Sequence, residues 1–419
     1  MSTPAQDSSR RYHGLDGLRG FAMLLGIVVH ASLPYFSRLL RFEFAWPADD
    51  DQSLLLFLVF DFIHAWRMPV FFLMAGFFAH LVLSRRAMKI FAVDRLKRVG
   101  LPLVLFGAVM TVLIPPIWVY GWTGKMSVET FWVVVRGSQD LGSSGELVAH
   151  LWFLYQLLLM YAALLAFRLL ASTGMAQHVL RSAELKKWCG RAGIAVYARF
   201  PLLLALAGIA LLVFRGGDES KPIWPLNWPD LLYGALFFFY GYGLFARRHL
   251  IERWKDPVVL AALWVTALAA FLAHFVLLGA LDDASNRGAA QEEIESIWLL
   301  GTIFYGAAGA LICAGLIGLF ERVLQRPLEW VRWLADSAYW VYILHLPLVA
   351  FLTFWFAHRD RQGRLDFGIG LEFGAEAKFL IACALTGAVT LVSYRYLVRY
   401  SLLGSMLNGP RSRVPPRPR

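Results

Sequence analysis

The chain has 419 residues, 58% of them hydrophobic and 16% charged, with a mean hydropathy of +0.57. A water-soluble domain carries about a quarter charged residues, and no single soluble core could take in the apolar runs of near 20 residues that recur from end to end. The net charge of +11 is accounted for by membrane topology rather than by nucleic acid, and transmembrane barrels would show shorter alternating segments.

In chain order the apolar runs predict ten spans: Gly17–Ser37, Leu54–Leu83, Gly100–Tyr120, His150–Phe167, Phe200–Phe214, Asp230–Ala246, Val258–Ala280, Ile297–Phe320, Ala335–Ala357 and Glu376–Val398. The expected class is therefore an all-α integral membrane protein of about ten transmembrane helices. The expected organisation is a tail at 1–14, a membrane domain at 15–398 and a basic, proline-rich tail at 399–419. No cleavable signal peptide is evident, so the first apolar run is expected to stay as a helix.

Lys and Arg set orientation. They cluster at Arg85, Arg86, Lys89, Arg95, Lys97 and Arg98, at Arg181, Lys186, Lys187 and Arg191, and at Arg247, Arg248, Arg253 and Lys255. The alternate loops are acidic, with Asp49, Asp50, Asp51, Asp282, Asp283, Glu292, Glu293 and Glu295. Both termini are then cytoplasmic. Trp118, Tyr120, Trp122, Trp224, Trp228 and Trp355 fit an outer interfacial belt. Ser127–Gly137 is amphipathic enough to lie on the outer surface, and Arg411–Arg419 reads as disordered. Three widely spaced cysteines, Cys189, Cys313 and Cys383, offer neither a disulfide framework nor a metal site. No internal repeat and no nucleotide-binding loop is evident.

Ionisable side chains inside a span are costly and usually functional. The first span opens with Asp16 and Arg19 and carries His30. Eleven residues separate Arg19 from His30, about 16 Å along a helix and within roughly 20° of the same face. The second span carries Asp61, His64 and Arg67 at intervals of three. Arg67 lies eighteen residues from Arg85 and sixteen from Asp51, near mid-membrane. In the ninth span His345, with Tyr342 on an adjoining face, lies about 20 Å from Arg332 along the helix. His150 and Trp152 open the fourth span. For each group a purely structural hydrogen bond or ion pair is the alternative, and an interfacial Trp is ordinary.

These residues carry a resemblance. Leu15-Asp16-Gly17-Leu18-Arg19-Gly20 with His30, Arg67 with Phe71, Phe72 and Gly76, His150-Leu151-Trp152-Phe153-Leu154, and Ser337, Tyr339, Tyr342, His345 and Pro347 follow the order and spacing of acyltransferase family 3. Those bacterial membrane enzymes move acyl groups from cytosolic acyl-CoA to extracytoplasmic glycans. Phe62 to Met68 looks most like the branch associated with glucan biosynthesis and succinyl modification of osmoregulated periplasmic glucans. One departure is Ala75, where Ser is expected before Gly76. Another is the absence of the esterase-like domain that some relatives carry.

The resemblance implies an inner-membrane O-acyltransferase with acyl-CoA (succinyl-CoA or acetyl-CoA) as donor substrate, no permanently bound cofactor and no metal. Its partners would be membrane lipid, the glycan acceptor and the glycan-synthesis machinery, not nucleic acid. His30, Arg67 and His345 are the expected catalytic residues. Asp16, Arg19, Asp61, His64, His150, Trp152 and Tyr342 are the expected substrate-binding residues. A neutral imidazole is a suitable base for an acceptor hydroxyl, with His30 preferred and His345 its rival. A desolvated guanidinium can stabilise an oxyanion or clamp an acyl carboxylate. No Ser or Cys sits in a nucleophile motif, so direct transfer is expected. A transporter or flippase remains the competing class, since charged mid-membrane residues and Pro-interrupted helices also describe transporters.

Overall fold

A computed structural model of the chain describes residues 12–39, 46–125, 149–173, 202–215, 228–361 and 373–409, with Lys187 and Arg191. The expected surface segment Ser127–Gly137, the tail Arg411–Arg419, Cys189, Trp224 and the first residues of the fifth span lie outside the described residues.

The described residues are helical, without strands. Helix α1 runs His13–Ser32 and passes into a 3-10 turn, Leu33–Tyr35. Helix α2 is Leu54–Leu83. Helix α3, Met88–Arg95, continues through a π turn at Leu96–Gly100 into α4, Leu101–Thr123. A 3-10 turn at Ala149–Leu151 leads into α5, Trp152–Ser172. Then come α6 (Leu202–Arg215), α7 (Trp228–Ala246), α8 (His249–Trp254), α9 (Pro257–Asn286), α10 (Gln291–Val323), α11 (Glu329–Arg361), α12 (Ala375–Ser393) and α13 (Leu402–Asn408).

Eight of the ten expected spans fall on helical segments long and apolar enough to cross a membrane. The fifth and sixth expected spans fall on α6, of 14 residues, and α7, of 19. The fourteen described residues of α6 make about 21 Å, beside a hydrocarbon core of about 30 Å. The chain is a multi-pass helical membrane protein.

Local chemistry explains several boundaries. Ser53 Oγ accepts from Leu56 N at 3.2 Å and starts α2. Asp256 accepts from Val258 N and Val259 N, with Pro257 at the first helical position of α9. Gly124, at φ 69°, ends α4 in the left-handed conformation. Pro69 and Pro347 lie inside α2 and α11, where packed neighbours can re-satisfy the freed backbone.

Helix α1 lies among α2, α10 and α11, and α7 runs along α2. That last pair meets backbone to backbone: Gly76 faces the Phe238 carbonyl and Gly241 faces the Leu73 carbonyl. Cys313 is buried with Sγ 3.6 Å from the Trp66 carbonyl oxygen, and Cys383 is half-buried; both are free thiols.

Helical structure is described at residues of both expected tails. Tyr12 is already buried and α1 starts at His13. Ser401 caps α13, Leu407 is buried, and Asn408 Nδ2 donates to the Asp336 carbonyl at 2.8 Å. The apolar residues Leu403, Met406 and Leu407 pack this turn against the core.

Candidate active site

Four segments converge on one polar cluster. The end of α1 brings His30, mid-α2 brings Arg67, mid-α11 brings Tyr342 and His345, and the turn before α5 brings His150. The His30 and His345 ring centroids are 5.2 Å apart, and those of His150 and His345 are 5.5 Å apart with planes at 85°.

His345, His150, Tyr342 and Arg67 are each tied to backbone carbonyls. His345 Nδ1 donates to the Tyr342 carbonyl at 2.7 Å, which leaves Nε2 as the lone-pair atom. That Nε2 is buried and has no protein partner. His150 Nε2 donates to the carbonyls of Tyr342 and Ile343 at 3.1 and 3.0 Å, and its Nδ1 is likewise unpartnered. Tyr342 Oη donates back to the His150 carbonyl at 2.8 Å. This reciprocal pair ties α11 to the turn before α5. The Tyr342 hydroxyl is thus engaged as a brace. His30 Nδ1 has no partner either, and its ring is half-buried where His345 is only 1% exposed.

Arg67 is buried, and its Nε donates to the Ala22 carbonyl at 3.0 Å. A charge at the centre of a span costs about 2.5–3.5 kcal/mol on insertion scales, so a fixed, desolvated guanidinium calls for a use. The tethered Nε aims the far edge of the fork at Gly26. A Cβ there would lie 3.2 Å from Arg67 Cζ and 3.3 Å from His345 Nε2. Gly26 is one helical turn before His30, and its missing side chain leaves the space in which the guanidinium and the His345 imidazole meet. Gly26 carried no signal in the sequence, because glycine in a span ordinarily marks helix packing.

Asp61 and His64 do not join this cluster. They face α9 and α10. The Asp61 carboxylate lies 3.2 Å from His274 Nε2, His274 Nδ1 donates to the Gly301 carbonyl at 2.9 Å, and His64 Nδ1 is hydrogen-bonded to Tyr305 Oη at 3.2 Å. Residues three apart on a helix are about 60° apart in direction, so Asp61 and Arg67 point roughly 120° away from one another. Trp152 packs half-buried against the main core.

Asp16 and Arg19 lie at the opposite end of α1, paired at 3.6 Å, with Arg19 Nη2 also donating to the Ala335 carbonyl at 3.3 Å. Asp16 lines a cleft with His13, Arg326 and Arg332. A second cleft where α2 ends and α3 passes into its π turn is lined by Arg85, Arg86, Asp94, Arg95 and Arg98. His30 stands at the far end of α1 from Asp16, on one continuous helix. It is two residues from the end of α1, because α1 gives way to the turn containing Pro34.

Sequence reasoning also missed Trp46 and His274. Trp46 stacks on His30 with centroids 5.8 Å apart and planes 13° apart. It reads in sequence as one more interfacial aromatic. His274 lies in a span and could have been found by the same argument that singled out His30.

The family profile described as Acyltransferase domain matches residues 12–398. The Glucans biosynthesis protein C of Salmonella typhimurium is 25% identical over 415 residues, 95% of each chain. Those of Salmonella typhi and Salmonella paratyphi A give the same identity and coverage. No solved structure matches. With its profile running through α1 to the π turn that ends α12, and with the histidine and arginine motifs in place along it, the chain belongs to acyltransferase family 3.

Proposed function

We propose that the protein transfers an acyl group, succinyl or acetyl, from cytosolic acyl-CoA to a hydroxyl of an extracytoplasmic glucan. The observation that carries this reading is the tethered Arg67 guanidinium and the unpartnered His345 Nε2 meeting beside Gly26, with the His30 ring 5.2 Å from that of His345.

In this reading His30 is the general base. It shares a face of α1 with Arg19, and its Nδ1 has no protein partner. The acceptor oxygen bonds to the thioester carbonyl carbon as its proton passes to His30. The C–S bond then breaks, and the proton goes on to the leaving thiolate. His345, with its tautomer held by α11, stands beside His30 to share that proton. Arg67 holds the developing oxyanion, or the free carboxylate of a succinyl group, by its planar fork.

The donor enters from the end where basic residues gather. The two arginine-lined clefts supply charge for its phosphates, and the Arg19–His30 separation suits a pantetheine arm. In this reading that end and both termini are cytoplasmic, which the Lys/Arg clusters support, and the chain crosses the inner membrane ten times. The relatives named for glucan biosynthesis support a glucan as acceptor.

Purified protein given succinyl-CoA or acetyl-CoA and a glucan acceptor is expected to release free thiol and form an equal amount of ester. Mass spectrometry of periplasmic glucans with and without the gene then identifies the acyl group. A transporter or flippase would release no thiol.

A further inference from the structure

The segment 46–53 arches over the end of α1 and is tied down at several points. Asp49 N donates to the Pro34 carbonyl at 3.0 Å, and Ser53 N donates to the Tyr35 carbonyl at 2.6 Å. Gln52 Nε2 donates to the carbonyls of Asp49 and Pro34 at 2.7 and 3.2 Å. From α12 comes Lys378, whose Nζ lies 2.6 Å from Asp49 Oδ1 and 2.9 Å from Asp51 Oδ2. Ser53 Oγ donates to Glu376 Oε1 at 2.5 Å beside it.

Lys378 and Asp49 are both 0% exposed. Replacing a buried ion pair by apolar side chains is often neutral or stabilising, while breaking one by removing a single partner is strongly destabilising. Such a pair fixes geometry more than it adds stability, and the geometry in question is that of Trp46. Its indole lies flat over His30 and edge-on to Trp118, with centroids 4.9 Å apart. Phe354 closes another side at 5.9 Å. Pro47 approaches α4 at Gly121, where a Cβ would come within 2.6 Å of Pro47 Cγ.

We propose that residues 46–53 form a water-excluding roof over the His30–His345 pair, with Trp46 as the shield and Lys378 as the positioning residue that pins it through Asp49. The inference rests on the acyl-transfer reading of this site. A thioester is activated toward any oxygen nucleophile. If water reaches it, the C–S bond is cleaved to a free carboxylic acid and the same thiol, with no ester formed. A closed, dry site suppresses that side reaction. The roof therefore decides between transfer and hydrolysis, and sugar hydroxyls gain access where water is held back.

The ratio of thiol released to ester formed measures this directly in purified protein given succinyl-CoA and glucan oligosaccharide. Trp46→Ala and Lys378→Met are expected to raise the ratio several-fold with KM for succinyl-CoA nearly unchanged. Trp46→Phe, which keeps a flat ring over His30, should fall between. A merely structural role would lower both products together and leave the ratio at the wild-type value, which would overturn the proposal. A second measurement does not depend on the substrate. In a background of Cys189→Ala, Cys313→Ala and Cys383→Ala, the thiol introduced by His30→Cys should react slowly with a water-soluble maleimide, and several-fold faster once Lys378→Met or Trp46→Ala is added. Equal labelling rates with and without those changes would sink the roof. Absence of thiol release from the wild type would instead remove the acyl-CoA reading and leave the labelling to decide the roof alone.

Discussion

The Arg67 guanidinium occupies the space that a side chain on Gly26 would need, and the Nε2 of His345 borders the same space. Gly26→Ala should therefore push the fork away from the histidines while leaving α1 helical, since Ala is the better helix former. A displacement of about 1 Å at a reacting centre can cost on the order of 10²-fold in rate. Transfer activity per folded molecule is the measurement, and a wild-type rate in Gly26→Ala would show that the fork is not needed at this spot.

Arg67→Lys should be nearly as damaging as Arg67→Ala. The Nε–H that reaches the Ala22 carbonyl has no counterpart in lysine, and a point charge does not reproduce a planar fork. Comparing kcat for the two variants, with expression and thermal stability measured alongside, checks this. Full activity in Arg67→Lys would reduce the residue to a counter-ion.

His30→Ala should leave insertion and expression intact and lower acyl transfer by a factor on the order of 10²–10⁴, the usual worth of a positioned base. Acyl-CoA binding should survive, because the basic clefts lie toward the other end of α1. His345→Ala is the control. Normal transfer in His30→Ala with none in His345→Ala would move the base to α11, and activity in both would end the acyltransferase mechanism drawn here.

The Asp61–His274 pair should matter for stability rather than for chemistry. Removing one partner leaves a buried polar group of the other without its neighbour, at about 1–3 kcal/mol. Asp61→Leu alone should lower the melting temperature in detergent more than the double change Asp61→Leu with His274→Leu. Turnover per folded molecule should change little in either. A loss of turnover without a loss of stability would put this pair in the reaction.

Topology is open to a direct check. Reporter fusions at Lys89 and Lys255 are expected in the cytoplasm, and fusions at Asp50 and Asp283 outside. Adjacent loops reporting the same side would break the ten-span layout.

Much of the architecture was legible in the sequence because the bilayer imposes a length and a hydropathy on any helix that crosses it. Eight of the ten expected spans fall on helices long and apolar enough to cross a membrane, and the resemblance to family 3 holds over residues 12–398. An ionisable residue in hydrocarbon is conspicuous by its cost, so His30, Arg67 and His345 could be named without coordinates. What periodicity along one helix cannot supply is which faces meet. Only tertiary packing turned Asp61 and His64 toward His274 and Tyr305, and Arg67 toward Gly26. Only tertiary packing made Lys378, which reads as the flank of a span, the buried partner of an acidic loop that reads as solvated. Such pairs are dozens to hundreds of residues apart in sequence, and their energy comes from mutual burial, which no single segment possesses by itself.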